Sequence, residues 1–163
     1  MATATLDMSV LSSHVGSQLE AYALQEKCPL FFEKDTNYID EATLVGSGGF
    51  GDVYALGRTH VLKVYKQQTR DVVKQAKREL KMTTYRHRNV IACFGLLCFD
   101  DGRQALIFER GGDELYQVLV RIDGTLHDLY FELYKLYLHD LFSGLAFLRA
   151  SDIVHGDLKP ENL

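Results

Sequence analysis

His155-Gly156-Asp157-Leu158-Lys159-Pro160-Glu161-Asn162-Leu163 is the stretch on which the reading of this chain turns. An Asp, a Lys two positions on and an Asn five positions on share one short segment. An Asp beside a reacting hydroxyl can accept its proton and orient its oxygen. A Lys nearby can neutralise charge on a transferring phosphoryl group. An Asn offers a neutral oxygen to magnesium, which favours oxygen ligands. Apolar Ile153-Val154 ahead of His155, and Pro160 within the segment, set it apart from a plain polar surface loop.

Upstream, Gly46-Ser47-Gly48-Gly49-Phe50-Gly51 forms a GxGxxG pattern. Glycines let a backbone turn tightly, and the exposed N–H groups can then bond phosphate oxygens. The same pattern serves dinucleotide-binding proteins, where a helix follows it. Here Asp52–Leu56 follows and reads as a strand, which favours a phosphate-covering hairpin. Val53 then offers apolar area to a base. Gly57-Arg58-Thr59 is a turn signal, and His60–Tyr65 is the next strand. Strand alternation places Lys63 on one face with Val61 and Tyr65. A Lys in so apolar a strand needs an anion or an exposed edge.

The spacing predicts a helix over Asp71–Tyr85, with Val72, Ala76 and Leu80 four apart and Lys74, Lys77, Arg78 and Lys81 opposite. At about 100° per residue, Glu79 falls roughly 60° from Ala76, at the edge of the apolar stripe. It is the acid in this helix placed to look inward and to meet Lys63. Val90–Phe99 and Gln104–Glu109 flank the turn Asp100-Asp101-Gly102 and predict a hairpin. Glu114–Val120 reads as a short helix. Phe131–Leu148 reads as a longer one, apolar around most of its circumference and so expecting burial on nearly every side.

Residues 1–40 carry no nameable chemistry. Leu11, Val15, Leu19 and Tyr22 recur at helical spacing, so a helix is expected near Ser12–Gln25, ended by Cys28-Pro29 and either packed on the segment that follows or serving as a separate interaction segment. At 163 residues the chain holds one ordinary core, or one small lobe and part of another. It is 47% hydrophobic and 25% charged. A net charge of -4 gives no reason to expect nucleic-acid binding. Cys28, Cys93 and Cys98 are odd in number with no CxxC, which fits a reduced compartment and buried thiols. No run approaches the roughly 18 apolar residues of a membrane span, so no membrane partner is expected. No signal-peptide pattern stands at the start. A cytoplasmic or nuclear location is the expectation from these absences.

The motifs occur in the order and at the spacings of the eukaryotic protein kinases, and the resemblance covers about residues 41–163. Val45-Gly46-Ser47-Gly48-Gly49-Phe50-Gly51-Asp52-Val53 resembles the glycine-rich loop. Val61-Leu62-Lys63 resembles the lysine strand and Arg78-Glu79-Leu80 the helix C segment. His87-Arg88-Asn89-Val90-Ile91 resembles the stretch after that helix. Leu106-Ile107-Phe108-Glu109 resembles the strand entering the hinge. His155–Asn162 resembles the catalytic loop.

The resemblance implies an α+β fold. A five-stranded antiparallel sheet with helix C would form an N-lobe over 41–109. The hinge and the first, mainly helical part of a C-lobe would occupy 110–163, and residues 1–40 would be an extension. It also implies ATP and magnesium as cofactors and a protein with Ser or Thr as substrate. Val45, Gly46, Ser47, Gly48, Gly49, Phe50, Gly51, Val53 and Val61 would line the nucleotide site. Lys63 would hold the alpha and beta phosphates and pair with Glu79. Phe108 would be the gatekeeper beside the adenine, and the backbone of Glu109 and Gly111 would bond its edge. Asp157 would be the catalytic base and Asn162 a magnesium ligand. Lys159 would assist the transfer, and it is similar to the residue of the serine/threonine branch.

Three departures shape the expectation. Gly156 stands where an Arg usually precedes the catalytic Asp, which puts activation through a phosphorylated loop in doubt. Val61 replaces the usual Ala and would crowd the adenine. The sequence shows no Asp-Phe-Gly motif, which in this family supplies the main magnesium-binding Asp. The expectation is therefore a fragment of a serine/threonine kinase, inactive as residues 1–163 alone. The alternative is a natural truncated protein that binds nucleotide or a partner kinase without catalysing. A dinucleotide-binding oxidoreductase fails on the strand after Gly51 and on the closing segment.

Overall fold

The computed structural model describes residues 18–32, 42–65, 69–100, 102–121 and 127–163. Of the expected N-terminal helix, positions 12–17 lie outside these residues, as do Leu11 and Val15. The chain divides into two compact units, Met1–Tyr85 with Cys93–Glu109 and Arg86–Ala92 with Arg110–Leu163.

The first unit is built on a sheet in the order β1-β5-β6-β4-β3-β2. Its strands are β1 (Leu30–Phe32), β2 (Thr43–Ser47), β3 (Gly51–Leu56), β4 (His60–Tyr65), β5 (Cys93–Cys98) and β6 (Gln104–Glu109). The five strands β2 to β6 pair antiparallel, as the alternation and turn signals required. Gly57 makes the turn between β3 and β4 at φ 64, a backbone setting that costs glycine little.

Strand β1 is a sixth, and it comes from the segment expected to be a plain extension. It runs parallel to β5, with Leu30 opposite Leu96 and Phe32 opposite Cys98. Ahead of it, α1 (Gln18–Gln25) buries Leu19 and Ala23. Lys27, at φ 56, turns the chain out of the helix just before the expected Cys28-Pro29 stop. The Cys28 thiol then donates to the Leu80 carbonyl at 3.7 Å. At β5 the backbone at Gly95 passes so close to Pro29 that any Cβ there would collide with the Pro29 carbonyl oxygen.

Helix α2 (Arg70–Lys81) starts at Thr69, whose hydroxyl accepts from Val72 N–H. Asp71 in the first turn and Arg78 and Lys81 in the last suit the helix dipole. Val72, Val73, Ala76 and Leu80 are buried, and they share one core with Leu19 and Ala23 of α1, Leu96 and Cys98 of β5, and Leu106 of β6. The opposite face of the sheet carries its own cluster of Leu62, Leu97, Phe99, Ala105 and Ile107. The expected helix ran on to Tyr85. Instead Met82–Thr84 tightens into a 3-10 turn, and Tyr85 is extended. The Thr84 hydroxyl donates to the Lys81 carbonyl, the local competition by which Thr disfavours a helix interior.

In the second unit, α3 (Leu115–Arg121) and α4 (His127–Ala150) come after β6 in the chain. Residues 90–92 are not part of a strand, contrary to the expected Val90–Phe99 run. Asn89 is held on α4 instead, where its amide donates to the Asp140 carbonyl at 3.0 Å and carboxylate at 3.2 Å. Gly144 lets the Asn89 backbone oxygen approach α4 closely. His87 stacks on Phe147 at 4.7 Å between ring centroids. Helix α4 ends where Asp152 takes φ 55 and Ile153 N–H bonds back to the Leu148 carbonyl at 2.8 Å. Burial on nearly every side is not found within these residues: Phe131, Leu136 and Phe142 are 61%, 62% and 63% exposed. No helix among the described residues is long and apolar enough to cross a membrane.

Candidate functional site

In the first unit the glycine pattern forms the turn between β2 and β3, and Gly51 opens a strand rather than a helix. Gly48 N–H closes this turn on the Gly51 carbonyl at 2.9 Å. Gly51 lies so close to the Val64 carbonyl oxygen that a Cβ would collide with it, which explains a glycine there. Gly49 has open space around it, Val45 and Phe50 are exposed, and Gly46 and Ser47 complete β2.

Sheet register then sorts the remaining positions. Val53 lies opposite Lys63, and Lys63 opposite Leu106. Ala55 lies opposite Val61, and Val61 opposite Phe108. Directly paired residues in a sheet share a face. Val53, Val61, Lys63 and Phe108 therefore stand on one side of three adjacent strands. Glu109 ends β6 and is exposed, and Gly111 falls in the second unit.

Lys63 Nζ meets Glu79 Oε1 at 2.5 Å, with the two side chains 23% and 16% exposed. The partner read from the helix stripe is thus the one found. Glu79 has two further ligands. The Tyr65 hydroxyl donates to Oε2 at 2.9 Å, and Gln75 Nε2 donates to Oε1 at 2.7 Å. Burial pushes the Tyr65 phenol far above its ordinary value, and the Glu79 charge adds to this. Tyr65 therefore keeps its proton and acts as a donor. Strand alternation had put Tyr65 on the Lys63 face, and Gln75 stands one helical turn before Glu79, but neither had been read as part of the site.

In the second unit, Gly156 takes φ 79, where glycine is at ease and a side chain is strained. Asp157 follows, exposed, with Oδ2 at 3.1 Å from Lys159 Nζ. Asn162 Nδ2 donates to the Asp157 carbonyl at 2.7 Å and to its Oδ2 at 2.9 Å. The hydrogen bonds from Lys159 and then Asn162 hold the Asp157 carboxyl below its ordinary value. The Asp157 N–H donates to His155 Nδ1 at 3.3 Å. The 3-10 turn Pro160–Asn162 starts on Pro160, and the Leu163 carbonyl accepts from Leu115 N–H at the start of α3. Asp157, Lys159 and Asn162 are thus brought together as the spacing required. With the Asn162 nitrogen engaged, its amide oxygen is the atom left for a hard cation, so the donor chemistry fits magnesium.

The family model for the protein kinase domain matches residues 39–163. The chain belongs to the eukaryotic protein kinase family. It is 31% identical over 134 residues to an Aurora kinase of Dictyostelium discoideum, covering 76% of this chain and 34% of that protein. It is 28% identical over 148 residues to an Aurora kinase of Saccharomyces cerevisiae, covering 85% of this chain and 39% of that one. It is 26% identical over 154 residues to the serine/threonine-protein kinase GRIK2 of Arabidopsis thaliana, covering 80% of this chain and 35% of that one. This kinase chain spans about a third of the length of the curated relatives it matches. Its α+β architecture, a sheet with a helix on one face followed by helices, is that of the kinase N-lobe and the start of a C-lobe.

Proposed function

We propose that the protein transfers the gamma-phosphoryl of ATP to a serine or threonine hydroxyl of a protein substrate. The observation that carries this reading is the Asp157 carboxylate, bonded by Lys159 and Asn162. Asp157 accepts the proton of the attacking hydroxyl and orients its oxygen. A bond forms from that oxygen to the gamma phosphorus, the bond to the beta-phosphate oxygen breaks, and ADP leaves. Lys159 neutralises charge on the group in transit. Lys63, steadied by Glu79, holds the alpha and beta phosphates. Magnesium, where bound, neutralises phosphate charge, and Asn162 offers it an amide oxygen. Phe108 and the Glu109 and Gly111 backbone take the adenine. A relative named as a serine/threonine-protein kinase supports the choice of hydroxyl. Gly156 offers no guanidinium to a phosphorylated loop, so activation by that contact is not part of the proposal.

The test is transfer of gamma-labelled phosphate from ATP to a mixed protein substrate by the full-length protein, followed by phosphoamino acid analysis. Label on Ser and Thr is expected, and Asp157→Asn should lower it by about 10²–10⁴-fold. Lys63→Met should lower it as well. Nucleotide binding with no transfer would overturn the reading in favour of a non-catalytic nucleotide-binding protein.

A further inference from the structure

Among the described residues, the Glu79 carboxylate is bonded on both oxygens by three donors, one of them the lysine. Lys63 and Gln75 share Oε1, and the Tyr65 hydroxyl takes Oε2. Two of the donors, Lys63 and Tyr65, stand two apart on one face of β4, and the third is on the glutamate's own helix. Tyr65 is buried in the core shared with Ala76 and Leu80 of α2, so its ring is fixed by packing and its hydroxyl has a fixed reach.

The physics of the pair makes these extra bonds consequential. A partly buried carboxylate has about four lone-pair sites, and sites left empty there are costly. A lysine ammonium is a compact charge on a flexible stem with three rotatable donors, so it goes where its partner's charge is. An ammonium held by a carboxylate that can itself swing is only loosely placed. A carboxylate bonded at both oxygens, from the strand and from its own helix, fixes the ammonium and leaves its other hydrogens for phosphate oxygens.

We propose that Tyr65 and Gln75 are positioning residues: they hold the Glu79 carboxylate so that its ion pair with Lys63 is formed before nucleotide arrives. The inference rests on the kinase reading above and adds a requirement to it. The tyrosine ring packs, but its hydroxyl acts on Lys63 through Glu79. The glutamine, half-buried on α2, acts in the same way from the other side.

The experiment uses the full-length protein with Tyr65→Phe, which keeps the ring and removes only the hydroxyl, and Gln75→Met, which keeps length and helix propensity. Each is made alone and in a Glu79→Ala background. The readouts are kcat/KM for ATP, KM for the protein substrate, and Kd for a fluorescent ATP analogue with magnesium. Each single change is expected to cost about tenfold in kcat/KM for ATP, the scale of one hydrogen bond to a charged group. KM for the protein substrate should stay put. In the Glu79→Ala background neither change should cost anything further, because its target is gone. A purely structural tyrosine would instead carry the same loss into that background, or lower Tm with no kinetic effect, and either result overturns the proposal. Wild-type nucleotide affinity and turnover in both single variants overturn it too, while Lys63→Met still losing activity would leave the kinase reading intact. A full-length protein that neither binds ATP nor responds to Lys63→Met removes the kinase reading, and this inference with it.

Discussion

Asp157 illustrates how much a short loop does with neighbouring donors. Its carboxyl is exposed, yet the hydrogen bonds from Lys159 and Asn162 keep its pKa below the ordinary 3.8. A depressed carboxylate gains its folded-state bonds above the ordinary value and loses them as pH falls through the lower one. Asp157 is therefore expected to take up its proton below the ordinary 3.8, so an acid limb above that value belongs to another group. NMR titration of the Asp157 carboxyl should give an apparent pKa under 3.8, rising toward it in Lys159→Met. An unchanged value in that variant would mean that Lys159 does not govern the charge. These three residues were legible because they are near neighbours in sequence, where spacing alone brings side chains together. The pairing of Lys63 with Glu79 was legible because the helix stripe pointed one acid inward. Tyr65 and Gln75 were not, since a tyrosine in a strand and a glutamine on a helix each have a commonplace reading until their distances to one carboxylate are known.

Among the elements, those with periodicity or a turn signal were read closely from sequence. The glycine turn, β3, β4 and β6 follow from alternation and from Gly57. Strand β1 did not, because Leu30-Phe31-Phe32 is too short to show a period and its partner lies far along the chain. The run 90–92 was misread because its apolar residues continue β5 in pattern, while Asn89 draws that backbone onto α4. The seam between β1 and β5 offers a sharp test. Gly95→Ala would press a Cβ onto the Pro29 carbonyl and the Phe31 ring, so β1 must shift away. We expect a loss of about 1–3 kcal/mol, the usual scale of overpacking, read by urea denaturation of the full-length protein. The buried Cys28 thiol, which sits between α1 and β1, should become alkylated faster in this variant. Unchanged stability and unchanged Cys28 protection would show that the seam is looser than its geometry.

On the scale of the whole molecule, the two units carry different parts of the chemistry. The first holds the glycine turn and the Lys63–Glu79 pair, and the second holds Asp157 and Asn162. Helix α4 also exposes Phe131, Leu136 and Phe142, an apolar surface that favours association in water. Residues 1–163 are therefore expected to self-associate in light scattering. A monomeric preparation of those residues would defeat this expectation. The α1–β1 segment has a further consequence, in the time domain of folding. Its contacts join distant positions: Gln104 Nε2 bonds Glu20 Oε1 across 84 residues of sequence, and β1 can pair only after β5 exists. Closing so long a loop is entropically expensive and slow. The β2–β3–β4 meander can form from near neighbours alone, so α1 and β1 dock onto a sheet that is already assembled. Of the described elements, the two earliest in the chain are thereby the ones that must wait.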